Sequence, residues 1–211
     1  MATLDQIKTR IILEIDRDDL GSGGEAEQAL VDAISDAIDH YSSEEFWFNR
    51  ASGSGTSVAG VAVMAIPAGV RFPTQLARGG EALRKVPLSD IQHRTETGVP
   101  AHWAENAGFI QLWPIADGAY GITAYGLAAT AGPATGGDTN IWTNEAARLI
   151  VARCKVTLLR MFKEYDAMQA AQAEEADALA RLRGETRRRS ASPLCTDVPT
   201  SRQMFDIARG H

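Results

Sequence analysis

Apolar residues recur at helical spacing towards both ends of the chain and lose that spacing in between. Near the start, Leu4, Ile7, Ile11, Ile12 and Ile15 share one face of a helix predicted from Thr3 to about Asp16. Thr3 with Gln6 three residues on is a capping-box pattern, which satisfies orphan N–H groups where a helix begins. The run Asp18-Asp19-Leu20-Gly21-Ser22-Gly23-Gly24 carries turn chemistry, and Ser22 with Glu25 repeats the capping pattern. Leu30, Ile34, Ala37, Ile38 and Tyr41 then predict a second helix, to about Glu45. Two short helices joined by a glycine turn are expected to lie antiparallel, and neither is long enough to be stable alone.

From Phe46 to Gly137 the helical period stops, and Gly, Pro, Ser and Thr cut the chain into short pieces. Thr56 to Ile66 reads as a strand stopped by Pro67-Ala68-Gly69, with a second short strand at Val70-Arg71-Phe72. Ser89 is the expected cap of a helix entry at Pro87 to Ile91. His102-Trp103-Ala104 and Phe109 to Trp113 flank Glu105-Asn106-Ala107-Gly108, a hairpin pattern. Tyr120 to Ala128 reads as the last strand.

The third helical region opens with Thr143 as its expected cap and Glu145 in its first turn. Ile150, Cys154, Leu158, Met161, Phe162 and Tyr165 form a stripe that Leu149 and Leu159 widen beyond what one partner helix needs. A bend is expected around Lys163 to Asp166. An Ala-rich helix follows from Ala167 to about Arg183, with Asp177 and Arg181 as an i,i+4 pair. The expected fold is α+β: an antiparallel helical bundle with a small β-rich insertion and an extended C-terminal arm. In that reading residues 1–184 form one domain, with helices at about 3–17, 24–45 and 144–183 and the insertion at 46–137. Residues 185–211 form an arm ordered by a partner.

Charge narrows the function. The chain of 211 residues holds 21 Lys and Arg against 27 Asp and Glu, for a net charge of −6. A nucleic-acid clamp draws its affinity from cations that neutralise phosphates, so a stand-alone DNA-binding module is disfavoured. A surface past which DNA slides without sticking is compatible with it. Two cysteines, Cys154 and Cys195, are too few for a disulfide framework or a zinc site. The polar N-terminus and the lack of a long apolar run lead to the expectation of a soluble, cytoplasmically made protein with no membrane contact.

Catalytic patterns are weak. His93 with Glu96 and His102 with Glu105 give H-x-x-E spacings, yet neither sits in H-E-x-x-H. Asp16-Arg17-Asp18-Asp19 lacks the alternating ligands and closing Glu of a calcium loop. Gly21 to Gly24 precede a helix, but Glu25 would repel a bound phosphate. No G-x-S-x-G elbow is present, and Cys154 falls on a core stripe. No cofactor or metal is therefore expected. A hydrolase would need a carboxylate pair such as Asp90 with Glu96, or Glu105 with a neighbour.

Three features ask instead for a partner. Phe46, Trp47 and Phe48 place three large rings at a helix–sheet junction, as candidates for junction or inter-subunit packing together with Leu149 and Leu159. Arg187, Arg188 and Arg189 are candidates for contact with phosphates or an acidic protein surface. Met204, Phe205 and Ile207 form an apolar knot after a polar linker, the pattern of a docking arm.

The order of parts resembles the head-to-tail connector, or portal-binding adaptor, proteins of tailed bacteriophages. The resemblance is carried by Asp16-Arg17-Asp18-Asp19-Leu20 ending the first helix, and by Ala37-Ile38-Asp39-His40-Tyr41 with Glu44 to Asn49 ending the second. It continues in Ala65-Ile66-Pro67-Ala68-Gly69, in Phe109 to Pro114 followed by Ala119-Tyr120, and in Asp138 to Trp142 before Thr143 to Ala146. It covers roughly residues 4–183. The resemblance implies a structural virion protein at the head–tail junction, a homo-oligomeric ring of twelve copies docked on the portal protein. Such a ring extends the DNA channel and offers a platform to tail or nozzle proteins, with the C-terminal arm reaching the portal. Another head- or tail-completion subunit is the alternative within the same class.

Overall fold

The computed structural model describes residues 2–21, 23–130, 132–133 and 135–190. Helix α1 (Leu4–Ile15) begins as the sequence predicts: the Thr3 hydroxyl accepts from the Gln6 N–H while the Gln6 side chain accepts from the Thr3 N–H. A 3-10 turn (Asp18–Gly21) leads to α2 (Glu25–Ser42). There the expected Ser22–Glu25 box gives way to Gly24 as N-cap, with a positive φ of 76° and no side-chain cap. Ser22 lies outside the described residues.

The strands follow as β1 (Arg50–Thr56), β2 (Val63–Ala65), β3 (Val70–Arg78) and β4 (Glu81–Lys85). After the short helix α3 (Leu88–Ile91) come β5 (Thr97–Gly98), β6 (His102–Asn106), β7 (Phe109–Trp113), β8 (Ile115–Ala116) and β9 (Gly121–Ala128). Seven of them form one mixed sheet in the order β1-β9-β3-β4-β6-β7-β2, and β5 pairs with β8 separately. Pro87, not Ser89, is the N-cap of α3. The β6–β7 hairpin turns as expected through Ala107 and Gly108, both at positive φ.

This sheet overturns the expected fold class. The molecule is a large, curled mixed sheet with helices packed beside it, not a helical bundle carrying a small antiparallel insertion. Two strands account for much of the difference. The predicted strand Thr56–Ile66 is instead split: β1 ends at Thr56, Ser57 and Gly60 turn the chain by hydrogen bonds to Tyr120, Gly118 and Ala116, and pairing resumes only at Val63. The Ser- and Gly-rich stretch before it is itself a full strand, paired along its length with β9. Its inward positions are small because the curl brings opposite parts of the sheet together. A Cβ on Gly53 would lie 2.5 Å from the Ala68 carbonyl oxygen, and one on Gly55 would lie 2.9 Å from Met64 Cε across the interior. The inside is filled by Met64, Leu76, Leu83, Trp103, Ile110 and Ile122.

Helices α4 (Ile141–Glu145), α5 (Ala147–Phe162) and α6 (Tyr165–Ser190) complete the chain. Asn140, not Thr143, is the N-cap of α4, with Thr143 as its reciprocal partner three residues on. The bend near Lys163 is present as a left-handed cap with φ 64°. Helix α6 continues past Gly184 to Ser190, so Arg187, Arg188 and Arg189 lie on its last turn. Helix α5 is buried on nearly every side, because α1, α2 and α6 all pack on it. The apolar width of its stripe is thus used within the chain, while Met161 and Tyr165 at its far end are exposed.

Candidate assembly surfaces

The link between α2 and β1 explains how three aromatic residues are held. Asn49 Oδ1 accepts from the Phe46 N–H (2.8 Å), Asn49 Nδ2 donates to the Glu44 carbonyl (2.7 Å), and the Asn49 carbonyl accepts from Ala128 N–H (2.7 Å). This buried amide fixes the chain reversal and turns Phe46 fully inward. Phe46 stacks on Phe48 at 5.5 Å, and Trp142 meets both edge-on at 5.7 and 5.1 Å. Edge-to-face and offset pairs of this kind add to simple area burial. The sequence singles out the Phe46–Phe48 rings for packing, but marks Trp142 only as part of the family resemblance. The signal for Trp142 was an aromatic residue in a helix entry just before the α5 stripe.

Trp47 takes a different part. It is half-buried, and the Arg189 guanidinium lies 4.5 Å above its ring, a cation–π contact. Arg50 Nη2 donates to Ser190 Oγ at 2.7 Å, and Arg183 pairs with Glu44 through both carboxylate oxygens. The end of α6 is therefore tied to the α2–β1 junction by polar and stacking contacts. Arg187 and Arg188 are exposed beside it. Leu149 and Leu159 are both buried inside the chain, the first in the core shared by α1, α2 and α5, the second against Val156 and Ala171. Met204, Phe205, Ile207 and Cys195 lie outside the described residues.

Two charged networks brace the helices and were not read from the sequence. Lys155, placed between Cys154 and Val156 on a buried face, donates to Glu14 of α1 at 2.9 Å and to Glu174 of α6 at 2.7 Å. Burial pulls its pKa down, but the two carboxylates overcome that and hold it above its ordinary value. Tyr41 Oη donates to Glu175 at 2.5 Å, and Arg153 adds a longer contact at 3.4 Å. Burial raises the Tyr41 phenol, and the adjacent carboxylate raises it further.

The hydrolase residues fall differently. Glu96 accepts from the Trp113 indole N–H at 3.1 Å, which holds its carboxyl below the usual range. Asp90 accepts from Ser89 and, through its carbonyl, from Arg94. Glu105 is exposed on β6. Among the described residues no group of three or more His, Cys, Asp or Glu is placed to hold a metal ion. Cys154 is buried with its thiol donating to the Ala33 carbonyl, and burial pushes its pKa up. No helix among the described residues is long and apolar enough to cross a membrane.

A family model described as SU10 adaptor protein matches residues 2–197, nearly the whole chain. No curated protein matches it.

Proposed function

Because the chain belongs to the SU10 adaptor protein family, a family of phage head–tail adaptors, we propose that it forms a ring on the portal and carries the DNA channel towards the tail. Membership makes it a structural component of a phage particle, and the match over residues 2–197 is the observation that carries the reading. The ring of twelve copies, the portal contact and the position at the head–tail junction are the finer part of the proposal.

The physical features support it. A subunit that lines a DNA passage must not bind the DNA, and a net charge of −6 gives repulsion rather than attraction. The polar end of α6 supplies exposed Arg187 and Arg188 for an acidic protein surface. Residues 185–211, with Met204, Phe205 and Ile207, are the segment we assign to portal contact. Electron microscopy of the full chain mixed with its portal tests the ring directly, and a ring below the portal vertex is the expected image. Removing residues 191–211 should lower portal binding by about tenfold or more if a few apolar anchors carry the contact. Unchanged affinity would remove the arm from the proposal, and binding to tail tube but not portal would identify a tail-completion subunit instead.

A further inference from the structure

Between Arg50 and Arg71 the chain runs for twenty residues, 51–70, without a charged side chain, in a protein that is 23% charged. This stretch supplies both end strands of the sheet, β2 and all of β1 after Arg50, and the turn between them. End strands of soluble proteins are ordinarily guarded by charges, because an open edge invites another chain. Here the guard is missing, and the surface is apolar instead. Val58, Val61 and Val63 are exposed, Val58 at 62%. Val99 joins them through the loop that Asp117 N–H and Gly60 N–H tie together at Gly98 and Ala116. Phe109, half exposed, sits opposite Ala65 on the neighbouring strand β7. Half of the large exposed apolar side chains among the described residues border this one rim.

We propose that the valine rim of one copy docks on the outer face of α1 in the next copy, forming the contact that repeats around the ring. The inference rests on the ring reading above. Head-to-tail closure needs two different, complementary surfaces on every copy. An uncharged rim cannot find its partner by ion pairing, so it requires a receptor with an exposed apolar side chain at its centre. Helix α1 offers one. Leu13 is 72% exposed in a shallow hollow of about 490 Å³ lined also by Asp5, Gln6, Thr9, Arg10 and Glu14. Arg10 is paired with Glu14 at 2.6 Å along the same helix, leaving Leu13 as the apolar floor. The rim belongs to the sheet unit and the hollow to the helical unit, so the pairing is heterologous.

Full-length proteins in a Cys195→Ser background test this, one carrying Val61→Cys and the other Leu13→Cys. Assembled on the portal under mild oxidation, the mixture should give a 61–13 disulfide by peptide mapping, with little 61–61 or 13–13 product. Val58→Asp with Val61→Asp, and separately Leu13→Asp, should each lower ring assembly about tenfold or more while leaving circular dichroism unchanged, since all three sites are exposed. Dominant 61–61 disulfides would show a symmetric contact and overturn the proposal. Normal rings from both aspartate variants would overturn it as well while leaving the ring intact. Wild type that never forms a ring would sink the ring reading itself, and this interface with it.

Discussion

Lys155 shows how one side chain can organise three helices. Its side chain is only 10% exposed, and its ammonium joins α1 to α6 through two carboxylates, while Arg10 holds the other oxygen of Glu14. Burial alone would raise the Glu14 pKa, but the hydrogen bonds and charges of Arg10 and Lys155 outweigh it and keep the carboxyl below its usual range. A carboxyl depressed in the folded state adds stability above its unfolded pKa, and that stability is lost as pH falls through the folded value. The raised Lys155 works in the opposite direction: its contribution is full below about pH 10, the unfolded lysine range, and fades above it. Lys155→Met should therefore cost about 1–3 kcal/mol at neutral pH, with the half-exposed Glu174 arm contributing least. Urea unfolding at pH 7 and again near the acid limb checks it. Part of the loss should vanish once Glu14 is protonated, and an equal loss at both pH values would contradict the network. Gly126 makes a backbone demand of the same scale. A Cβ there would come 2.1 Å from the Phe72 carbonyl oxygen, where β3 shifts register against β9. Gly126→Ala should destabilise by about 1–3 kcal/mol through overpacking against backbone, and a neutral result would show that the irregularity can relax.

Helix α6 is stable for reasons other than an apolar face. Among its 26 residues only Ala171, Ala178 and Leu182 are buried. Lys155 to Glu174, Tyr41 to Glu175, Arg183 to Glu44, Arg189 over Trp47 and Arg50 to Ser190 supply polar attachment along its length. That is why the helix passes Gly184, where sequence reading places its end: glycine marks a stop only if no tertiary contact holds the turns beyond it. Gly184 has an ordinary helical backbone, and a Cβ there meets nothing within 4 Å. Gly184→Ala should thus stabilise the protein by about 0.5–1 kcal/mol by restricting the unfolded chain. Far-ultraviolet dichroism and urea unfolding would register the gain, and a loss would mean that the site is strained in a way its backbone does not show. The helices were legible because α1 and α2 carry a one-sided apolar period and α5 a wider apolar stripe at the same spacing. Strand β1 was not, because its inward positions Ala51, Gly53 and Gly55 must be small where the sheet curls on itself. Close packing erased the β-branched signal that usually announces a strand.

At the scale of the whole molecule, the adaptor family was legible in the order of segments, while the wide apolar stripe of α5 is not left free for a partner. That surface is consumed by α1, α2 and α6, and the exposed apolar rim lies instead on the sheet, in a stretch that reads as one strand with ordinary turns. The charge balance has a measurable consequence. With 27 acidic against 21 basic residues, the chain as a whole repels a duplex, and the exposed Arg187 and Arg188 at the end of α6 are a place that could attract one. Proteins that hold DNA non-specifically do so with dissociation constants of about 10⁻⁴ to 10⁻⁶ M at physiological salt. A chain of this net charge should be weaker than this range. Fluorescence anisotropy with a duplex at about 0.15 M salt should show no saturation at micromolar protein, for the wild type and for Arg187→Ser with Arg188→Ser alike. Micromolar binding that falls steeply with salt and disappears in the double variant would assign the α6 terminus to DNA, and would leave the portal without its basic contact.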